Sequence, residues 1–417
     1  MPTALYQAIQ NGIFGTNFFN GRLLSAEDLR SEQKAGEQTR RLLGKAIGDG
    51  VAYGLEVSIG SSGAGGSAPV LHIQPGLAIN RSGHAMSLTQ PVDLSIVPPT
   101  ADGAGPPTST FANCQPLQAG SYVSGEGVYL LTLSPATYPD GRAPVSGLGN
   151  ITPTCSYRYT VYSVQFGLIQ LTAANTSDKA KTRNRVAYQC FRPDQVTVSL
   201  GDPFGTIKST YGLIDDLRPS YLTDCDVPIA ILHWTTDNGI DFADNWAARR
   251  RITSPSADGD WSALLGDRRR AETEAMMLQF QQQVEDILDH ETGLDKITAA
   301  SRFDYLPPLG FLPVKTSGAG GFDPATFFGQ HMPGEIGTID AGKLRDLAAR
   351  AVGCDPILLT ATRKIQLYFV WENILLVKQE PSTRLVVVFT TPELPYSGVS
   401  RFGFAHWNRG RFSAGVI

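Results

Sequence analysis

The residue types most often used for catalysis or metal binding occur in this chain without the spacing that such chemistry needs. None of the six histidines has a second histidine three to five residues away, and His290-Glu291 lacks the second histidine of a zinc-protease motif. No Gly-x-Ser-x-Gly segment, which would carry a hydrolase serine, is present. The glycine-rich segment 60–66 lacks the Gly-Lys-Ser/Thr ending of a phosphate-binding loop. We therefore expect no catalytic residue, no metal site and no other cofactor.

Acidic pairs are the remaining candidates for chemistry, as glycosidase carboxylates or calcium ligands. Three pairs lie close together in sequence: Asp215 and Asp216, Asp224 and Asp226, and Asp241 and Asp244. Such pairs arise by chance in a chain with 39 acidic residues, and no EF-hand spacing surrounds them. A role in capping turns is therefore favoured. A hydrolase acting on cell-wall glycan is the weakest functional alternative.

Arginine clusters are the more promising interaction features. Arginine is favoured at protein interfaces because its planar guanidinium can hold a carboxylate through two hydrogen bonds and can stack on aromatic rings. Three clusters are interface candidates: Arg249, Arg250 and Arg251; Arg268, Arg269 and Arg270; and Arg183 with Arg185. A solvated surface or salt bridges within the fold are the alternatives. The net charge of −4 gives no reason to expect nucleic acid as a partner.

Aromatic residues near the two ends of the sequence are the second set of interface candidates. They are Phe18 and Phe19, with Arg22 beside them, and Phe402, Phe404 and Trp407. Aromatic side chains usually belong to a core, but in a protein that assembles with others they also act as the buried anchors of an interface. A large loss of stability on truncation to alanine would indicate a core position.

A capped helix is predicted directly after the first aromatic pair. Ser25 can accept a hydrogen bond from a free backbone N–H, and the acidic residues Glu27 and Asp28 suit the positive end of a helix. The helix is predicted over 26–47 and ends at the glycines that follow. Its polar middle indicates that it covers a surface rather than filling a core.

Alternating segments predict β-structure after this helix. The strands are expected at 55–59, 70–74, 77–79 and 84–88, as a small β-meander with a mobile tip at 60–67. Strands at 127–133 and 157–171 are predicted to complete one sheet system with this meander. Further along, a hairpin is predicted that turns at Asp237-Asn-Gly239. Loops are predicted over 98–120 and 134–153.

The helical and C-terminal predictions rest on three- and four-residue spacing and on short apolar runs. Met277, Phe280, Val284, Ile287 and Leu288 predict an amphipathic helix over 264–289 that packs on its own fold rather than forming a stalk. The other predicted elements are a helix over 179–191, a helix over 341–352, a strand over 365–371 and a hairpin that pairs 374–378 with 384–390.

Composition indicates a folded, turn-rich protein with several units. A chain of 417 residues exceeds one ordinary core, and its 43 glycines and 27 prolines favour a β-rich fold. The five cysteines are scattered without Cys-x-x-Cys spacing and are expected to be reduced thiols. No signal-peptide pattern and no apolar stretch of about 20 residues is present, so we expect cytoplasmic synthesis without a signal peptide and no transmembrane segment.

Together these elements predict an α+β, β-rich multidomain fold. Its expected parts are an N-terminal helix plus β-meander docking domain over 1–97, a central β-rich domain over 98–260, an amphipathic helix over 261–300 and a C-terminal mixed α/β domain over 301–417.

Five segments, taken in order, resemble a known family. They are 17–29, 51–57, 73–79, 224–251 and 401–407. In these segments the chain resembles accessory structural proteins of the baseplate region, encoded with phage-tail-like, extracellular contractile injection systems. The resemblance implies a non-enzymatic structural subunit that assembles as a ring, collar or cage.

The same resemblance implies the partners. They are copies of the chain itself and other particle subunits, namely baseplate, sheath or spike-end proteins, with membrane contact only through the assembled particle. Whether that particle stays in the cell, is anchored to a membrane or is released is left open. The alternative function is a receptor- or glycan-binding fibre component of the same particle, with exposed aromatic residues as its site.

Overall fold

The computed structural model describes most of the chain in ten stretches. They are residues 12–62, 69–96, 126–144, 155–172, 178–191, 212–218, 220–235, 237–254, 267–361 and 363–394. The predicted loop over 98–120 and the interface candidates Phe402, Phe404 and Trp407 lie outside the described residues. Within these stretches, no helix has the length and apolar character needed to cross a membrane.

The described chain contains both helices and strands, with β1 to β8 following one another after α1, and this mixture confirms the predicted α+β, β-rich multidomain fold. The α-helices are α1 (Ala26–Ile47), α2 (Lys179–Phe191), α3 (Gly212–Asp216), α4 (Asn245–Ala248), α5 (Asp267–His290), α6 (Ala299–Arg302), α7 (Pro324–Phe328), α8 (Ala341–Ala351) and α9 (Trp371–Gln379). The strands are β1 (Gly50–Gly54), β2 (Val57–Ser61), β3 (Val70–Ile73), β4 (Gly76–Ile79), β5 (Ala85–Leu88), β6 (Val92–Ser95), β7 (Gly127–Pro144), β8 (Cys155–Leu171), β9 (Val227–Thr235), β10 (Gly239–Asp244), β11 (Tyr305–Leu306), β12 (Leu309–Val314), β13 (Gly337–Ile339), β14 (Ile357–Leu358), β15 (Gln366–Val370) and β16 (Leu385–Thr390).

The six N-terminal strands form two interleaved three-stranded sheets, with strand orders β1-β4-β5 and β2-β3-β6. Strands β2 to β5 lie at or close to the four predicted segments, whereas β1 and β6 lie outside those segments. Strand β1 pairs with β4 and β3 pairs with β6, so neighbours in sequence are not always neighbours in a sheet. Leu55 takes a positive φ of 61° between β1 and β2, where the chain leaves one sheet for the other.

A four-stranded antiparallel sheet of order β10-β9-β7-β8 occupies the middle of the chain. The expectation that β7 and β8 share one sheet system with the meander is wrong, because among the described residues β7 pairs with β9 and meets the N-terminal strands through side-chain packing rather than strand pairing. The predicted Asn-Gly hairpin is confirmed, since β9 and β10 pair across it. The predicted loop over 134–153 is wrong for its first part, because β7 continues to Pro144 and pairs with β8 throughout. Prolines and glycines in 135–144 favoured a loop, but an edge position in a hairpin tolerates both.

Both faces of the central sheet are covered. On one face, Tyr129 and Leu131 pack with Leu71 and Ile73 of the N-terminal strands. This cluster contains residues from both sides of the predicted boundary at 97/98, and the domain limits stay a prediction. The other face packs against α2, α3, α4 and the first half of α5.

Helix α5 connects the central sheet to the C-terminal unit. Its Ala275 and Met276 belong to the helical layer on the central sheet, whereas Phe280 and Val284 belong to the C-terminal core. The expectation that this helix packs on its own fold is confirmed. The C-terminal sheet has the order β12-β16-β15-β13, in which β13 is parallel to β15.

The predicted hairpin between 374–378 and 384–390 is wrong in its first strand. Residues Trp371–Gln379 form helix α9, and β16 pairs instead with β15 and β12. A short apolar run such as Ile374-Leu-Leu-Val377 fits a strand or a helix by pattern alone. The sheet already supplies β16 with two neighbours, and this leaves the intervening run free to form a helix.

Cysteine pairing also departs from the expectation. Cys190 and Cys354 are free thiols, and complete burial raises the pKa of Cys190 to about 12. Cys225 is disulfide-bonded, so the expectation of reduced thiols is wrong for this residue. Sequence spacing could not show the pairing, because the fold brings distant residues together.

Candidate assembly surface

Residues 12–47 form a surface element that we call the N-terminal arm. Its first part folds back on the start of α1, where the Thr16 backbone N–H donates to Glu32 Oε2 (3.0 Å) and the Thr16 hydroxyl donates to the Asp28 carbonyl (2.8 Å). Ser25 and Asp28 form the predicted capping box. Hydrogen bonds to Asp28 from the Ser25 backbone and hydroxyl, together with the nearby Arg22, lower the pKa of this carboxyl.

The aromatic residues of the arm lie at its surface. Phe18 and Phe19 are 52% and 63% exposed, so neither is a core residue of the isolated chain. Arg22 pairs with Asp28, and its guanidinium lies 5.9 Å from the ring centroid of Phe19. Further apolar side chains of the arm are exposed as well: Ile13, Phe14, Leu23, Leu24, Leu29, Leu42, Leu43 and Ile47. Apolar surface on this scale is typical of a protein-binding site.

Helix α1 is attached to the N-terminal strands mainly near its C-terminal end. Its buried residues are Ala35 and Gly44. A Cβ atom on Gly44 would overlap the carbonyl of Gly83, whose own φ of +82° is accessible mainly to glycine. The Arg41 Nε–H donates to the Ser82 carbonyl (3.3 Å). The rest of α1 and its aromatic segment therefore project from the fold.

His84 lies beside this attachment point. Its Nε2 is 3.6 Å from Glu37 Oε1 on α1. Burial lowers the pKa of His84, Arg41 and Lys45 lower it further, and Glu37 opposes them only in part. The neutral imidazole is therefore the form that suits the docked helix.

We expect α1 docking to weaken in acid. A depressed folded-state pKa means that the undocked state binds more protons, so the stability from neutral His84 is complete above pH 6.5 and is lost as pH falls through the lowered folded pKa. Hydrogen exchange of α1 amides, corrected for intrinsic rates, should show less protection at pH 5 than at pH 7.5. His84→Gln should flatten this difference. Equal flattening in His72→Gln, on another strand, would contradict the assignment.

The cluster Arg249, Arg250 and Arg251 is largely engaged within the fold. Arg249 donates to the Gly54 carbonyl (2.6 Å), and burial lowers its pKa. Arg250 pairs with Glu272 (2.5 Å), whereas the more exposed Arg251 pairs with a partly exposed Glu274 (2.8 Å).

The cluster Arg268, Arg269 and Arg270 contacts the same carboxylate, that of Glu272, as Arg250 does. Arg268 pairs with Glu272 (2.7 Å) and with Asp215 (3.2 Å). These carboxylates outweigh the effect of burial and raise the pKa of Arg268 above its ordinary range. Arg269 pairs with exposed Asp355, and Arg270 is exposed.

For Arg249, Arg250 and Arg268 the structure shows the alternative that the sequence left open, namely salt bridges within the fold. Arg183 and Arg185 also pair within the fold, with Asp244 and Asp304. An interface role for any of these eight arginines stays a prediction, and Arg270 is the most accessible of them. The structure does not bring these clusters next to Phe18 or Phe19 through any contact among the described residues.

The acidic pairs have structural roles. Asp244 caps α4, accepting from the Ala247 N–H (2.9 Å), and Asp226 accepts from the Thr223 N–H (2.8 Å). Asp241 lies 2.8 Å from His233 Nδ1. The expectation of turn-capping is confirmed at Asp244 and Asp226. Across the described stretches, no group of three or more His, Cys, Asp or Glu side chains is arranged to hold a metal.

Two exposed aromatic features were missed by sequence reasoning. Tyr138, Tyr157, Tyr159 and Tyr162 are exposed on the outer part of β7 and β8, and Trp371 and Leu375 are exposed on α9. The alternation at 157–162 was visible but was interpreted as a strand inside a sheet. The Trp371–Leu375 spacing of four residues was the signal for a helical face.

Comparisons with known proteins give little further information. No protein-family model matches the chain, and no curated protein matches it. Among solved structures, the chain is similar to a crystal structure of TssK, with a TM-score of 0.27 and 9% sequence identity over 68% of this chain and 51% of that chain. The chain thus spans about half the length of the TssK chain. A similarity at this TM-score carries no argument about function.

Proposed function

We propose that this protein is a non-enzymatic structural subunit of a contractile injection particle, at or around the baseplate, and that it binds its neighbours through the N-terminal arm. The observation that carries the proposal is the exposure of Phe18 and Phe19 on an element that contacts the rest of the fold mainly near Gly44. An ordered, exposed aromatic pair on a projecting helix is suited to insertion into a partner.

The family resemblance is the reason for proposing a contractile injection particle, and the exposed N-terminal arm is the proposed site at which the protein binds to it. Residues 17–29, which carry part of the resemblance, are also the residues whose apolar side chains the structure leaves exposed. A ring or collar built from copies requires two different patches on each subunit. Phe402, Phe404 and Trp407 remain candidates for the second patch, and baseplate, sheath or spike-end proteins remain the proposed partners.

Truncation of both phenylalanines tests the proposal. Because both are exposed, Phe18→Ala with Phe19→Ala should change the free energy of unfolding by less than about 0.5 kcal/mol for each residue. The same variant should be absent from purified particles. Thermal melting checks the first expectation, and quantitative mass spectrometry of particles checks the second.

Tyr221→Ala provides a matched control, since Tyr221 is exposed but lies outside the arm. This variant should enter particles normally. Normal incorporation of the phenylalanine variant would overturn the proposal. A fall in melting temperature of more than about 10 °C would instead show that the two side chains belong to a core.

Negative-stain microscopy of the protein with the products of neighbouring genes separates this function from the fibre alternative. A subunit of the baseplate region should add density to a ring or collar. Density at distal fibres would favour receptor or glycan binding instead.

A further inference from the structure

The hairpin of β7 and β8 extends beyond the central sheet as a two-stranded arm. Strand β9 pairs with β7 only between Gly127 and Leu133, whereas β7 and β8 remain paired as far as Pro144 and Cys155. Past Leu133, no third strand among the described residues continues the ladder. The outer edges of both strands therefore present backbone groups in a form that another strand can pair with.

The β7 edge of this hairpin is protected against such pairing. Pro135, Pro139 and Pro144 lie in its outer part, and proline has no N–H to donate to a neighbouring strand. Gly141 adds a positive φ of 62°, which departs from regular extended backbone. Prolines and local distortions are devices by which proteins prevent edge-to-edge association.

The β8 edge has no comparable protection. Residues 156–163 read Ser-Tyr-Arg-Tyr-Thr-Val-Tyr-Ser, which contains no proline and one charged residue, Arg158. All of these residues except Val161 are exposed. Tyrosine, threonine and valine are favoured in strands, so the segment is a long, regular and open pairing edge. Within the described stretches β8 is the last strand of its sheet, so its outer edge is the better candidate for pairing with another chain.

We propose that the β8 edge pairs antiparallel with the β8 edge of a second copy, about a two-fold axis at Thr160. Two identical edges are self-complementary when they run antiparallel, because each supplies the N–H and C=O groups that the other needs. The prolines exclude the β7 edge as the partner strand. The two central sheets would then join into one continuous sheet of eight strands.

Charge and aromatic contacts favour this register. Centring on Thr160 places Arg158 opposite Tyr162 of the second copy, whereas centring on Arg158 would place two arginines face to face. The Arg158 guanidinium already lies 5.0 Å from the ring centroid of Tyr159, so it is placed to stack on aromatic rings. Cross-strand Arg–Tyr pairs would form at both ends of the paired segment.

Opposite charges at the two-fold axis test the pairing. In this register Thr160 faces its own copy, so Thr160→Lys and Thr160→Glu should each raise the dimer dissociation constant at least about tenfold by like-charge repulsion. An equimolar mixture of the two variants should recover the dimer. Sedimentation equilibrium of the isolated chains, up to about 100 μM, measures all three, and circular dichroism confirms that each variant is folded.

Asp140→Lys is the matched control, because Asp140 is exposed on β7 and lies opposite Tyr159. It should leave the dimer intact. The proposal is overturned if the wild-type chain is monomeric throughout the concentration range, or if Thr160→Lys remains dimeric. A monomer whose β8 amides become protected only when other particle subunits are added would assign the edge to a different protein. The sedimentation measurements use the isolated chain, so their outcome is independent of particle incorporation.

Discussion

Asp244→Ala is expected to destabilise the protein by about 3–5 kcal/mol, because it leaves a buried arginine without its only buried counter-charge among the described residues. Asp244 is 1% exposed, and its Oδ2 accepts from Arg183 Nε (2.8 Å) and from Gln279 Nε2 (2.9 Å). Burial alone would lower the pKa of Arg183, but Asp244 and Asp286 outweigh it and raise that pKa. The same Asp244 side chain caps α4. One substitution thus breaks contacts among α2, α4 and α5.

Asp286→Ala is the matched control, since Asp286 also pairs with Arg183 but its side chain is 48% exposed. Solvent screens this pair, so the expected loss is below about 1 kcal/mol. For a unit of 150–250 residues, the Asp244 variant should melt roughly 10 °C lower. Thermal and urea unfolding, followed by circular dichroism, give both values. Similar small losses in the two variants would show that the buried network contributes little.

Gly44→Ala is expected to separate α1 from the N-terminal strands at a cost of about 1–3 kcal/mol in docking free energy. A Cβ at this position would meet the Gly83 backbone carbonyl, and a backbone atom cannot move aside as a side chain can. Because α1 buries only Ala35 and Gly44, the rest of the protein should stay folded. Hydrogen exchange should therefore show loss of protection in 26–47 and unchanged protection in β7 and β9.

Gly36→Ala is the control for helix propensity. A Cβ there would lie 3.4 Å from the flexible Arg40 side chain and meet nothing rigid. The substitution should stabilise α1 by roughly 0.5–1 kcal/mol, since alanine favours a helix more than glycine. Opposite signs for the two alanine variants would establish the Gly44–Gly83 contact as the attachment point. Increased α1 protection in both would refute it.

The two glycine variants also bear on assembly. If the N-terminal arm binds partners, Gly44→Ala alters the direction in which Phe18 and Phe19 are presented without changing either side chain. Incorporation into particles should fall in that variant and not in Gly36→Ala. Reduced incorporation of Gly44→Ala alone would show that partners need a rigidly held arm. Unchanged incorporation would show that a flexibly attached arm is sufficient.

Local signals in the sequence determined several elements directly. The capping box at Ser25 and the glycines after Ile47 delimit α1, because cap chemistry depends only on residues within one helical turn. The Asn-Gly turn between β9 and β10 was also predictable, because the turn type depends on the two residues at the turn itself. The exposure of Phe18 and Phe19 was left as two alternatives, since a phenylalanine in sequence does not reveal what lies beside it.

Long-range packing decided the remaining features. Strand order in the N-terminal sheets, the helix at Trp371–Gln379 and the extension of β7 to Pro144 all depend on which neighbours a segment meets. Arg250 and Arg268 are 18 positions apart in sequence and share the carboxylate of Glu272 only because α5 packs beside α4. The periodicity of apolar residues indicates which face of a helix or strand is buried, and capping residues indicate where a helix ends. Only the tertiary structure places two faces or two charges together, because that contact depends on the free energy of the whole fold.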